Sequence, residues 1–221
     1  MKKKFRYADA ENRQRVLEII DFLEKEFPNA KIALNYRNPL ELLVATILSA
    51  QCTDERVNMV TKSLFMKYKK AEDYANANIA ELEQEVRPTG FYRNKARNLK
   101  NTGEMLVKRF HSQVPKTMDE ILELPGVARK TANIVLQNVY GVVEGIAVDT
   151  HVRRVTGRLG LTANEDQDKI EQDLMKIVPR DKWKRITDLL IHLGRRVCKA
   201  RKPKCDICVL NKICPSAFTF D

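Results

Sequence analysis

Leu124-Pro125-Gly126-Val127-Ala128-Arg129-Lys130-Thr131 joins two helical segments, and the rest of the chain is read outward from it. Proline has no N–H to continue the first helix, glycine permits a left-handed turn, and a second helix begins at about Ala128. A helix start offers unpaired N–H groups and the positive end of the macrodipole. Gly126, Ala128 and Arg129 therefore form a place where a phosphate can bind without a side chain. Lys130 falls in the first turn of that helix, where dipole and partial burial both disfavour an ammonium and favour nucleophilic use. Most lysines are solvated surface residues, so position alone does not make this one a nucleophile.

Apolar residues recur at helical spacing on both sides of the hairpin. Val16, Ile19, Ile20, Leu23 and Phe27 share a face of a first helix that Pro28 stops. Pro39 suits a first turn, and Leu40 to Ala50 reads as a buried helix, apolar nearly all round. Val57, Val60 and Leu64 mark a third, capped by Thr53 or Asp54. Asn78, with Glu81 three residues on, has capping-box spacing. Tyr92, Ala96, Leu99, Leu106 and Phe110 mark a long helix; Asn133–Tyr140, Val152–Leu159, Ile170–Val178 and Trp183–Val197 complete the set. The nearest approach to strand alternation is Val142 to Val148, which its inner glycine makes a loop. With only eight glycines and eight prolines in 221 residues, few breakers interrupt the helices. The fold class is all-α.

The chain carries 40 Lys+Arg against 29 Asp+Glu, a net charge of +11. A hydrophobic fraction of 43% and the absence of any long apolar run exclude disordered, collagen-like, mucin-like and transmembrane classes. The start, Met1-Lys2-Lys3-Lys4-Phe5-Arg6, is basic with no apolar stretch after it, so no secretory signal is expected and the protein is read as intracellular, cytoplasmic and free of membranes. Charge is segregated. Residues 71–86 hold five acids and no base, while 180–204 hold ten bases and two acids, and 87–110 seven bases and one acid. Clustered positive charge suits a polyanion, because neutralised phosphates release counterions.

Four of the five cysteines, Cys198, Cys205, Cys208 and Cys214, follow the spacing C-x6-C-x2-C-x5-C within 17 residues. Four thiolates so close can wrap one metal centre, either tetrahedral zinc or a cubane iron–sulfur cluster. Ligation would hold the intervening basic loop, with Arg201, Lys202 and Lys204, in one shape for phosphate contact. Cys52 reads as a small core or boundary thiol. Asp149, in Ile146-Ala147-Val148-Asp149-Thr150-His151, can cap the helix that follows and can equally be a carboxylate that assists Lys130; the roles are compatible. His151 and His192 read as structural hydrogen-bonding residues.

Together these segments resemble the endonuclease III family of helix–hairpin–helix DNA glycosylases, over roughly residues 11–215. The anchors are Leu48-Ser49-Ala50-Gln51, the hairpin Leu124 to Thr131, Ala147-Val148-Asp149-Thr150-His151 and the four-cysteine spacing. The resemblance implies a [4Fe–4S] cluster on Cys198, Cys205, Cys208 and Cys214. It implies a central helical barrel, residues 32–144, and a second domain joining 1–31 to 145–221, with a DNA cleft between them. It implies a monomeric, nucleoid-associated enzyme of base excision repair that removes oxidised pyrimidines from double-stranded DNA and cuts the strand at abasic sites by β-elimination. Lys130 would form the Schiff base and Asp149 would stabilise positive charge on the sugar. Gln51 matches the residue that fills the vacated space in the duplex, and Phe91 the apolar wedge.

Two departures stand out. Ala128 occupies the place of a second hairpin glycine, so its methyl is expected to crowd a phosphate or shift the turn. The loop Gly141 to Gly145 is one residue longer than usual. Monofunctional adenine or mismatched-thymine glycosylases resemble the chain in the aspartate and cluster but lack a lysine at position 130; the adenine enzymes also carry a catalytic glutamate near Thr46 and usually a further C-terminal domain. A non-catalytic iron–sulfur DNA-binding protein would need neither Lys130 nor Asp149.

Overall fold

The computed structural model describes residues 9–220; the basic start Met1–Arg6 lies outside them. Polar residues at helix starts set much of the secondary structure. Asn38 accepts a hydrogen bond from the Glu41 N–H and Pro39 occupies the first turn of α2 (Pro39–Leu48), which follows α1 (Asp9–Glu26). Thr53 caps α3 (Asp54–Lys67), and Asn78 accepts from the N–H groups of Ala80 and Glu81 ahead of α5 (Ile79–Val86). Between them lies the short α4 (Ala71–Ala75). There follow α6 (Tyr92–Arg109), α7 (Met118–Leu122) and α8 (Arg129–Val135), then α9 (Thr150–Arg158), α10 (Gln167–Ile177) and α11 (Trp183–Arg196). No strand occurs among the described residues, and 142–148 is irregular.

Three elements depart from the sequence expectation. α4 and α7, five residues each, are too short to show a helical period. The hairpin helix begins at Arg129, as its turn implies, but the last turn of the stretch expected over Asn133–Tyr140, Leu136–Tyr140, is a π-helix. There the Gly141 N–H closes on Leu136 O, five residues back, with Gly141 in the left-handed region at φ +67°.

The chain divides into two compact units, Met1–Ile32 with Gly145–Asp221, and Ala33–Glu144. In the second, α2 packs against α3, α6 and α8, and residues Glu41 to Leu48 are all buried. Each large apolar side chain hidden there contributes roughly 1.5–3 kcal/mol. α4 lies directly on α6 because Gly103 has no side chain. A Cβ there would fall 2.7 Å from Ala75 N.

In the first unit α9 packs on α11, and α1 on α10 and α11. The N-terminal segment is tied to α11 by Arg185, which donates to the carbonyls of Ala30, Phe27 and Pro28. On the same helix burial pushes the Asp188 carboxyl up to about 6, although Lys184 and Arg185 draw it down. The folded state therefore holds this proton at pH values where the unfolded chain releases it. Burial of Asp188 costs nothing below the unfolded value of about 4, progressively more as pH rises from there to the folded value, and a constant amount above it. Asp188→Asn should accordingly stabilise the protein at pH 8 by about 1–2 kcal/mol and not at pH 4, read as the change in Tm. An equal gain at both pH values would remove desolvation as the cause.

Candidate active site

In the hairpin, Leu124 and Val127 point inward and are buried, while Gly126 and Ala128 are exposed. Val127 N–H closes the turn on Leu124 O at 3.1 Å, and Thr102 on α6 donates to Pro125 O at 3.1 Å. Gly126 has φ +78°, and a Cβ there would sit 2.5 Å from Asn98 Nδ2. The left-handed φ favours glycine, and any side chain there would have to displace the Asn98 amide. Ala128 needs no such freedom: it is the N-cap of α8 with extended backbone, φ −98° and ψ 169°, and its side chain makes no capping bond. The backbone at Ala128 is thus one that any residue adopts, and the residue is exposed. Lys130 is the second residue of α8, half-buried, and among the described residues its Nζ has no hydrogen bond or ion pair. Arg129 beside it is half-buried too.

In the other unit, Asp149 is the N-cap of α9. Its Oδ1 accepts from the N–H groups of His151, at 2.8 Å, and Val152, at 2.7 Å. The loop before it is buried at Ile146, Ala147 and Val148. Glu171, itself 4% exposed, accepts the Ile146 N–H at 3.1 Å, and Thr187 reaches Ala147 O. The carboxylate of Asp149 is therefore held from α10 and α11 as well as by its own helix. Burial lowers the His151 pKa below its ordinary value. A guanidinium only donates, so Nδ1 of His151 accepts from Arg154 Nη2 at 3.2 Å. His192 contacts Lys31 O at 3.1 Å and lies tilted against Phe27.

Gln51 and Phe91 occupy turns of the 33–144 unit. Both are exposed, Phe91 at 64%, so Phe91 is not the core aromatic that its type alone would suggest. Both have left-handed backbones without being glycine, φ +53° and φ +48°. Cys52, next to Gln51, is a half-buried free thiol.

Cys198, Cys205, Cys208 and Cys214 are free thiols that line one cavity, partly open to solvent. Among the described residues no three His, Cys, Asp or Glu side chains are placed to hold a single metal ion. Four thiols ringing one cavity supply the four thiolates that a cubane cluster or a tetrahedral zinc takes. Burial pushes the Cys208 thiol up, and that of Cys214 up to about 11, so iron binding must displace protons. The ring is joined to α9 by two arginines. Arg158 donates to Cys198 Sγ at 3.2 Å and to the carbonyls of Lys199 and Ala200, with Phe220 stacked on its guanidinium. Arg154 donates to the carbonyls of Cys198 and Gly194. Arg201, Lys202 and Lys204 remain exposed on the intervening loop.

Sequence reasoning missed Glu171, Arg154 and Arg158. Each acts on a backbone or sulfur partner at least 25 residues away, and its only local signal is a charged residue within a helix period.

Residues 44–180 match the family model described as HhH-GPD superfamily base excision DNA repair protein, and residues 198–214 match the iron–sulfur binding domain of endonuclease III. Endonuclease III of Synechocystis sp. is 50% identical over 208 residues, covering 94% of this chain and 95% of the relative. Two solved structures, a non-covalent endonuclease III–DNA complex and a trapped endonuclease III–DNA covalent intermediate, each match with a TM-score of 0.89 at 45% identity, covering 93% of this chain and 96% of theirs.

Proposed function

We propose, for a chain that belongs to the endonuclease III family of HhH-GPD base excision DNA repair proteins, that Lys130 is the nucleophile and Asp149 the carboxylate that serves it. The chain is a bifunctional DNA glycosylase and AP lyase with DNA as its partner and a [4Fe–4S] cluster as its cofactor. What carries the residue assignment is a half-buried amine, unpaired among the described residues, at the start of the hairpin helix.

The reaction follows from that amine. An oxidised pyrimidine cannot be reached inside the stack, so its nucleotide is flipped out. Lys130 Nζ bonds to C1′ as the C1′–N bond to the base breaks, and the base leaves with a proton. The sugar ring opens to an iminium, a Schiff base. That electron sink acidifies C2′–H; loss of this proton breaks the C3′–O bond, the phosphate leaves, and the strand is cut 3′ to the lesion. Water then releases Lys130 from the unsaturated sugar. Asp149 stabilises the cationic sugar and assists proton transfer. Cys198, Cys205, Cys208 and Cys214 would hold the cluster, whose bonds to sulfur cross-link the basic loop. Gln51 fills the vacated space, Phe91 wedges the stack, and the N–H groups around Gly126, Ala128 and Arg129 take a phosphate. The reading extends to a monomer acting on the nucleoid, supported by the net charge of +11.

Borohydride trapping on a thymine-glycol duplex tests substrate class and nucleophile together. A covalent adduct is expected, and its absence would count against both. For the loop, replacing Lys202 and Lys204 by alanine should weaken binding to every duplex and reduce the slope of log K against log salt by about one per lost phosphate contact. An unchanged slope would take the loop out of the interface.

A further inference from the structure

Two of the exposed side chains assigned above to the duplex, Gln51 and Phe91, sit on backbones that L-residues seldom adopt. A left-handed non-glycine residue costs about 1–2 kcal/mol, and such strain persists only where the surroundings over-determine it. One residue grips both turns. The Lys95 N–H donates to Phe91 O at 3.1 Å, closing the first turn of α6. Its Nζ donates to Thr89 O at 2.8 Å, on the other side of Phe91. The same Nζ donates to Leu48 O, also at 2.8 Å, at the end of α2 and three residues before Gln51.

Lys95 is only 4% exposed, and no carboxylate among the described residues forms an ion pair with it. Burial lowers its pKa below the ordinary lysine value. A buried, unpaired lysine is a costly choice, since an apolar side chain would pack there without desolvation. What the ammonium supplies and an apolar group cannot is a bond to two carbonyls 41 residues apart in sequence, one of them at the negative end of a helix.

We propose that Lys95 is a positioning residue that fixes the Gln51 and Phe91 turns as one unit, so that both side chains enter the duplex together when a nucleotide is extruded. The proposal rests on the reading of Gln51 and Phe91 as inserting residues, and its test separates the two.

Lys95→Met keeps the bulk and removes both side-chain bonds. Extrusion is followed by the fluorescence of 2-aminopurine placed opposite a thymine glycol, and single-turnover base release is measured on the same duplex. Both should slow about tenfold or more, since small displacements of positioned groups carry penalties of that size. Borohydride trapping on a single-stranded abasic oligonucleotide, which has no duplex to open, should stay near the wild-type level. Gln51→Ala and Phe91→Ala should each slow extrusion in the wild type and add little in the Lys95→Met background. If neither alanine variant slows extrusion, the insertion reading fails and the proposal with it. If both do, yet their effects multiply with that of Lys95→Met, insertion stands and the shared clamp is overturned. Equal loss of single-strand trapping would also overturn it, by making Lys95 a general support of the fold. Should Lys95→Met not fold, hydrogen exchange on the wild-type protein decides. Amides of 49–52 and 89–92 should gain protection together on binding an abasic duplex, and protection in one turn alone would overturn the proposal.

Discussion

Lys130→Ala is expected to abolish borohydride trapping on a thymine-glycol duplex and strand cleavage at abasic sites, while leaving duplex binding largely intact. The reason is geometric. Lys130 Nζ has no hydrogen bond or ion pair among the described residues, and its neighbours on α8 hold their places through Ala132 and Val135, both fully buried. Truncating the side chain therefore breaks no network. It removes an amine that no other residue of α8 can replace, since Arg129 carries a guanidinium and α8 has no second lysine. Covalent trapping should fall to background, a loss of at least about 10³-fold, as for other removed nucleophiles. Binding, measured as Kd on the same duplex, should change by only a few-fold, because the phosphate contacts proposed above lie elsewhere on the hairpin and on the basic loop. Undiminished trapping would sink the assignment, and a parallel collapse of binding would make Lys130 a phosphate contact instead.

That lysine, the aspartate and the cysteines could be picked out of the sequence because each sits in a local pattern with a physical meaning: a Pro-Gly turn before a helix start, an Asp before another, four thiols within one short span. The helices were legible for the same reason. Thr53 and Asn78 do cap where their positions suggest, Pro39 does occupy a first turn, and the apolar stripes of α1, α2 and α11 are buried. What was not legible depends on partners far along the chain. Lys95 is one of the seven bases in residues 87–110, and nothing local distinguishes it from those that face solvent. Its burial follows from where α2 ends. Nor does sequence announce a left-handed backbone at Gln51 or Phe91, since neither is glycine or asparagine. The π-turn at Leu136–Tyr140 escaped because its apolar residues still fall at helical intervals. Ala128 shows the converse limit: the sequence shows a missing glycine but not that the backbone there is extended, which any residue can adopt.

Asp149→Asn should separate the two jobs of that carboxylate. Oδ1 accepts two backbone N–H bonds at the start of α9, and an asparagine oxygen accepts both equally well, so the cap survives. What disappears is the negative charge. The charge also favours the helix dipole, so its loss lowers stability by about 0.3–1 kcal/mol, a small shift in Tm. Stabilisation of a developing cation is a larger matter, because it counts in the transition state and hardly at all in ground-state binding. Single-turnover base release on a thymine-glycol duplex should therefore fall about 10²–10³-fold, with Kd changed only slightly. Asp149→Ala supplies the contrast: it removes cap and charge together, so turnover should fall at least as far and stability by about a further 1 kcal/mol. If instead the asparagine variant loses binding and turnover in equal measure, or keeps wild-type turnover while only the alanine variant fails, then Asp149 does no more than begin a helix and the positive charge on the sugar must be met by another group.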